Sequence, residues 1–341
     1  MRILLTADPE IPVPPVKYGG IERIVGALLS RYREAAHQVG LVAHPDSRAQ
    51  ADSFFAWPGA RSRDAVDLLR NTRALHRAIK SFRPDIVHSF SRIFYLAPDL
   101  GSALPKIMSY QRAPTRRTVR MGVRLTRNRL VFTGCSEHIC RQGRGGGGRW
   151  HAIHNFVEVD SYLFQPSVPE NAPLVFLSRI ERIKGAHTAI EVAKRSGRRL
   201  LIAGNHGDEG EAGEYWRGVI RPELGKNGIE YVGPVDDSQK NRLLGSALAL
   251  VVPVEWDEPF GIVFAESLAC GTPVISRPRG ALPEIVRHGT DGFLDDDTAG
   301  LCRAVGQLGR IRRRDCRERA EEMFSARVIV QKYLDLYAAL I

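Results

Sequence analysis

The sequence predicts an α/β protein built from two doubly wound domains, and three observations carry that prediction. The chain has 341 residues, 43% hydrophobic and 26% charged, which is ordinary globular usage with length for two domains at roughly 150 residues each. Short apolar runs alternate with amphipathic stretches from end to end, the pattern of βα units feeding parallel sheets. That pattern is written twice, once on either side of the glycine run Gly145 to Gly148.

In the first half the apolar runs Arg2 to Leu5, Gln38 to Ala43, Ile86 to His88, Lys106 to Ser109 and Leu130 to Gly134 read as buried strands. Helices are expected between them, most clearly over Ile21 to Ala35 and Asp64 to Ser81. In the second half Leu174 to Leu177, Arg199 to Ala203, Ile229 to Val232, Ala247 to Val252 and Thr272 to Ile275 read as strands. Gly185 to Ser196, Pro259 to Ala269 and Leu282 to His288 read as helices. The joint is expected within Arg149 to Phe164, giving domains over 1–155 and 156–325. A last helix over 326–341 either returns to the first domain or stays on the second.

Composition removes several function classes. Five cysteines, Cys135, Cys140, Cys270, Cys302 and Cys316, show none of the spacings of tetrahedral zinc, so a reduced, cytoplasmic chain is expected. No signal-peptide pattern opens the chain, and no run approaches the ~20 apolar residues of a membrane span. The net charge of +11 divides unevenly: residues 1 to 160 hold 25 Lys+Arg against 13 Asp+Glu, and the remainder 24 against 25.

One motif is a decoy. Gly143-Arg-Gly145-Gly-Gly-Gly148 satisfies GxGxxG, yet a helical stretch precedes it and Trp150 to Asn155 reads as strand or loop, the reverse of the strand-to-helix context that dinucleotide binding needs. It reads as a loop.

The chemistry concentrates in Val254-Glu-Trp-Asp-Glu258-Pro-Phe-Gly-Ile-Val-Phe-Ala-Glu266. A β-rich run ends at Val254 and Pro259 suits a first helical turn, so a helix is expected from Phe260. Its free N–H groups and Gly261 would make an anion site at the carboxyl edge of the sheet. Glu258 and Glu266, eight apart, would then stand about 80° apart around the axis and ~12 Å along it. They would touch two parts of one elongated ligand, unless they are ordinary helix acids. Arg179 and Lys184, in Leu177-Ser-Arg179-Ile-Glu-Arg-Ile-Lys184-Gly185, follow a strand of the same domain, and two cations there suit a diphosphate. The turn Pro14-Pro-Val-Lys-Tyr-Gly19-Gly20 opens the first helix and offers amides to an anion.

Taken together, Tyr18-Gly-Gly-Ile-Glu, Asp85-Ile-Val-His88, Arg179 with Lys184-Gly185, Glu258-x7-Glu266, Gly271-Thr-Pro-Val-Ile and Gly280-Ala-Leu-Pro-Glu-Ile-Val resemble the retaining glycosyltransferases of family four. The resemblance implies the GT-B fold: two facing Rossmann-like domains with parallel sheets and an interdomain cleft. It implies that Arg179 and Lys184 hold the donor diphosphate and that Glu258 meets hydroxyls of the donor sugar. Main-chain groups of Pro259, Phe260 and Gly261 would assist, Glu266 would hold the ribose, and Gly19 and Gly20 would close over the diphosphate. His88 would be a further candidate for a catalytic role, with no general base assignable. The donor is expected to be a nucleotide-diphosphate sugar, with UDP as the nucleotide and no metal cofactor. Glu258→Ala and Lys184→Ala are each expected to abolish most turnover and leave the fold intact.

Two departures qualify this. Many relatives carry a second histidine two residues after the first, where this chain has Phe90, so His88 reads equally as a satisfied histidine at a strand end. The chain is also compact for the family. Asp295-Asp-Asp297 contains a DxD string, but it follows Gly292-Phe-Leu in a turn and reads as solvated loop.

The acceptor is open. Arg112, Arg116, Arg117, Arg120, Arg124, Arg127 and Arg129 crowd into eighteen residues, with Val119, Met121, Val123 and Leu125 interleaved at period two, which argues against an amphipathic helix. An anionic acceptor, an anionic membrane surface met peripherally, and plain arginine-rich surface compete to explain them. Nucleic acid is disfavoured because no aromatic residues interleave for stacking. An oligosaccharide antibiotic intermediate and a cell-envelope glycolipid or lipopolysaccharide are rival acceptors. A sugar-nucleotide epimerase and a silent nucleotide-binding protein are the rivals outside the class.

Overall fold

A computed structural model describes residues 1–15, 19–126 and 130–341. Tyr18 of the glycine-turn motif, and Arg127 and Arg129 of the arginine segment, lie outside the described residues. The chain divides into two compact units, Met1–Asn155 with Ala326–Ile341, and Phe156–Ser325.

The first unit holds strands β1 (Arg2–Thr6), β2 (Gln38–Ala43), β3 (Ser53–Ala56), β4 (Ile86–Ser89), β5 (Lys106–Tyr110), β6 (Leu130–Gly134) and β7 (Arg149–Ala152), with helices α1 (Gly20–Glu34), α2 (Ala65–Phe82), α3 (Arg116–Thr126) and α4 (Glu137–Arg144). The strands form one parallel sheet in the order β3-β2-β1-β4-β5-β6-β7. Ile3, Leu4 and Leu5 are fully buried, as are Leu41 and Val42. Helices cover both faces of such a sheet, which is why its strands read as continuous apolar runs.

The second unit repeats the plan. Strands β8 (Leu174–Leu177), β9 (Leu200–Ala203), β10 (Ile229–Gly233), β11 (Ala249–Val251), β12 (Val274–Ser276) and β13 (Gly292–Leu294) pair in parallel as β10-β9-β8-β11-β12-β13. Its helices are α5 (Ala186–Ser196), α6 (Gly210–Tyr215), α7 (Asp237–Ser246), α8 (Ile262–Ala269), α9 (Leu282–Ile285), α10 (Thr298–Gln307) and α11 (Arg313–Met323). Local signals set several ends: Asp236 and Gln239 form a capping box on α7, and Asp297 caps α10 by accepting from Gly300 N at 2.7 Å. The DxD string is thus a helix-capping turn.

The last helix, α12 (Ala326–Ala338), belongs to the first unit. Its Tyr337 hydroxyl lies 2.9 Å from that of Tyr32 on α1 and 2.5 Å from His88 Nδ1. Tyr333 packs its ring 4.8 Å from the His88 ring. With α12 included, the first unit carries 27 Lys+Arg against 12 Asp+Glu, a balance of +15, and the second carries −4.

Three expectations are corrected. The arginine segment does form an amphipathic helix: α3 buries Val119, Gly122 and Thr126, spaced three and four apart, and leaves Met121 and Leu125 exposed with Arg116, Arg117, Arg120 and Arg124. Period two among its apolar residues misled because only one of them, Val119, is fully buried. The helix after Glu258 begins at Ile262 rather than Phe260, because Gly261 takes the capping position at φ 81. The helix expected over Leu282 to His288 stops at Ile285. Gly143 and Arg144 end α4, and Gly145 to Gly148 link it to β7, so the run leads from a helix to a strand and only its last four residues form the loop. All five cysteines are free, and no helix among the described residues is long and apolar enough to cross a membrane.

Candidate active site

Strand β8 ends at Leu177 and releases the segment that carries Arg179 and Lys184. A short 3-10 turn, Arg182–Lys184, brings the chain to Gly185, whose φ of 78 links that turn to α5. A side chain at Gly185 would meet the Pro253 carbonyl oxygen at 2.2 Å, so glycine lets this turn pass close to the segment leaving β11.

The segment leaving β11 carries Glu258, and the two segments meet through their charges. Lys184 Nζ donates to Glu258 Oε2 at 2.5 Å, with the two side chains 11% and 10% exposed. Trp256 Nε1 donates to the same oxygen at 3.0 Å, and Lys184 Nζ lies 4.7 Å from the Trp256 ring centre. The backbone at Glu258 is also pinned: Ala281 N donates to Glu258 O at 2.8 Å, and the Cα of Gly280 comes so close that a methyl there would stand 2.2 Å from that oxygen. The loop after β12 therefore clamps the loop after β11. Beside the pair, Glu255 accepts from Arg277 at 2.9 Å and meets His187 Nε2 at 3.1 Å.

Glu266 sits in a second network. Lys240 Nζ reaches Glu266 Oε1 at 2.6 Å and the Tyr162 hydroxyl donates to that same atom at 2.8 Å. Burial works against the Lys240 charge, but Glu266 and then Asp237 outweigh it and hold its pKa above the usual value. Burial, and next the Glu266 carboxylate, push the Tyr162 phenol far above its ordinary range. Glu266 is on α8 whereas Glu258 precedes that helix, so the helical separation worked out from their spacing does not apply. Phe260 is buried with its ring 5.7 Å from Phe324. Gly261 supplies no side-chain cap, so the first N–H groups of α8 have no side chain of the capping residue to bond.

Arg179 forms an ion pair with Glu181 and is 42% exposed. Lys184 and Glu258 are thus brought together, and Arg179, Glu266, Pro259, Phe260 and Gly261 belong to the same unit. Gly19, Gly20 and His88 belong to the other. Gly19 is the capping residue of α1, and Gly20 its first residue.

His88 is fully buried, and both ring nitrogens are engaged: Nδ1 with Tyr337 and Nε2 with Ser109 Oγ at 2.6 Å. Phe90, in the place of the second histidine, packs 4.4 Å from its ring. Burial lowers its pKa to about 3, so it is neutral at pH 7. A ligand reaching this ring would have to displace Tyr337 or Ser109.

Tyr162, Lys240, Trp256, Glu255 and Arg277 were not singled out from the sequence. Tyr162, Lys240 and Arg277 lie far along the chain from Glu266 or Glu255, and Glu255 and Trp256, although inside the Val254 to Glu266 segment, meet His187, Arg277 and Lys184 only across the fold, so spacing carries no signal for these contacts. Among the described residues no group of three or more His, Cys, Asp or Glu could hold a metal.

Residues 163–323 match the family described as glycosyl transferases group 1, and residues 18–161 match glycosyltransferase family 4. Glycogen synthase of Mycobacterium tuberculosis is 25% identical, with 99% of this chain and 95% of that protein covered. Among solved structures, AviGT4, a glycosyltransferase involved in avilamycin A biosynthesis, aligns with a TM-score of 0.74 and 24% identity, covering 99% of this chain and 97% of that one. Anabaena Alr3699/HepE, solved with UDP-glucose, aligns at 0.75 and 18%, covering 99% of this chain and 100% of that one. The two family matches together span nearly nine-tenths of the sequence, each on its own α/β unit, and the chain belongs with the GT-B glycosyltransferases.

Proposed function

We propose that the protein is a retaining glycosyltransferase that moves a sugar from a nucleotide-diphosphate donor, with UDP as the nucleotide, to a hydroxyl acceptor. The observation that supports it best is the Lys184–Glu258 pair, nine-tenths buried at the carboxyl edge of the second sheet and backed by Trp256. A diphosphate would draw the Lys184 ammonium to itself and release the Glu258 carboxylate to accept from hydroxyls of the donor sugar. Lys184, joined by Arg179, would then stabilise the charge that grows on the diphosphate as the glycosidic bond breaks, which is where stabilisation speeds a reaction. Glu266, positioned by Lys240 and Tyr162, offers a carboxylate oxygen to the ribose hydroxyls. The UDP-glucose held by Anabaena HepE supports UDP as the nucleotide.

The test is calorimetric titration with a panel of nucleotide sugars, followed by proton NMR of the product. Binding by a UDP sugar and transfer with the anomeric configuration kept is the expected result. No binding by any donor would sink the proposal, and interconversion of sugars without an acceptor would favour an epimerase.

A further inference from the structure

Glu255 ties together the three segments that build and brace the Lys184–Glu258 pair, and a single oxygen makes the tie. Glu255 Oε1 accepts from Arg277 Nη1, on the segment leaving β12, at 2.9 Å. From the chain that follows β8 the same atom accepts from Thr188 Oγ1 at 3.5 Å and stands 3.1 Å from His187 Nε2. The His187 residue is itself held: the Tyr215 hydroxyl, at the end of α6, accepts from its main-chain N–H at 3.0 Å and lies 2.8 Å from Nδ1. The main chain adds a further link, because Glu255 N donates to Ile183 O at 2.8 Å, one residue before Lys184. All of these residues belong to the second unit.

The Lys184–Glu258 contact also fastens the segment after β8 to the segment after β11. In the proposed transfer the diphosphate takes the Lys184 ammonium, so that tie opens at the moment Glu258 is needed on the donor sugar. The contacts of Glu255 use neither Lys184 nor Glu258 and outlast it. Glu255 lies three residues before Glu258, too short a stretch for one to be held while the other wanders far.

We propose that Glu255 is a positioning residue of the transfer, which through Arg277, His187 and Thr188 holds the Glu258 segment in place while the diphosphate engages Lys184. The inference rests on the proposed glycosyl transfer. Glu255 and His187 are 27% and 29% exposed, and ion pairs that open to water add little to stability. A displacement of about 1 Å in a reacting group, by contrast, costs up to about a hundredfold in rate. Positioning therefore shows as lost turnover with stability kept, whereas a merely structural contact shows the reverse.

The experiment follows UDP release on the full chain, with water as the acceptor and UDP-glucose, UDP-galactose, UDP-N-acetylglucosamine and UDP-glucuronic acid as donors. Calorimetry with UDP counts the competent sites, and urea unfolding reports stability. Glu255→Ala should lower kcat per competent site about tenfold to a hundredfold, with KM and UDP affinity within about threefold and the urea midpoint near that of the parent. Glu255→Gln, whose amide oxygen can occupy the place of Oε1, should recover most of that rate. His187→Ala should reproduce part of the loss and add nothing to Glu255→Ala, since both act through one oxygen. A kcat unmoved in Glu255→Ala, an equal loss in Glu255→Gln, or losses that multiply in the double variant would overturn the inference. Should Glu255→Ala fail to fold, the partly exposed His187→Ala carries the test through the same split of kcat from KM. No UDP release by the parent from any of the donors would instead strike the proposed transfer itself.

Discussion

Replacing Lys184 by Met, or Glu258 by Gln, should damage the second unit as well as its activity, and the structure sets the size of the damage. The pair is in contact at 2.5 Å with each side chain about one-tenth exposed. Removing one partner strands the other charge in a place that water barely reaches, a loss of about 3 to 5 kcal/mol for buried pairs. For a unit of this size each kcal/mol lowers the melting temperature by about 2 to 4 °C, so each single variant should melt roughly 6 to 20 °C lower. The double variant carries no stranded charge and should recover most of that loss, so the two changes together should cost at least about 5 kcal/mol less than the sum of the singles. Urea unfolding followed by tryptophan fluorescence is the assay, since Trp256 lies against the pair. Turnover should be lost in all three variants. Single variants within about 1 kcal/mol of the parent, or a double variant equal to the sum of the singles, would refute the reasoning. The expectation that single alanine variants leave the fold untouched is revised accordingly.

Three further outcomes follow from packing and protonation. His88 titrates near 3 in the folded chain against 6.5 in the unfolded one, so the unfolded state takes up the proton first as pH falls. Stability is therefore fully present above 6.5 and is lost below it, by about 2 to 3 kcal/mol on reaching pH 4.5; denaturant unfolding of His88→Asn should lack that part of the slope, and equal slopes would contradict it. Gly280→Ala would push a methyl to 2.2 Å from Glu258 O and 2.4 Å from Glu258 N, at a φ of 60, so donor affinity and thermal stability should both fall; unchanged nucleotide-sugar calorimetry would show that the clamp does not position Glu258. Arg313 is buried and donates to Gln165 O, Ala247 O, Gly245 O and Thr272 Oγ1, so Arg313→Met strands those acceptors and should cost about 3 kcal/mol or more in denaturant unfolding; a loss under about 1 kcal/mol would contradict it.

Most of the fold was legible in the sequence because each buried parallel strand is a local apolar run, and the runs at Ile3, Leu41, Val87, Val175 and Ile202 announce themselves without reference to anything distant. The strands β3 and β13 were not, since each lies at the edge of its sheet and neither is a fully buried apolar run. Helix α3 was misread because sequence periodicity reports where apolar residues are, not which of them meet a neighbour. Val119 and Gly122 pack inward against Gly146 and Ile93, while Met121 and Leu125 face water.

The sequence by itself determined that two parallel α/β units stand in series, that Lys184, Glu258 and Glu266 lie at sheet edges of one of them, and that the excess positive charge belongs to the other. Only the tertiary structure decided what those residues touch. Lys184 and Glu258 are seventy-four residues apart, Tyr162 and Glu266 over a hundred, and His88 meets Tyr337 across 249. Spacing along a chain reports contact only within one helix or strand, where the backbone repeats. Across elements, contact depends on which loops emerge at the same end of a sheet, and on close approaches such as Gly185 to Pro253 and Gly280 to Glu258, which are properties of packing rather than of sequence order.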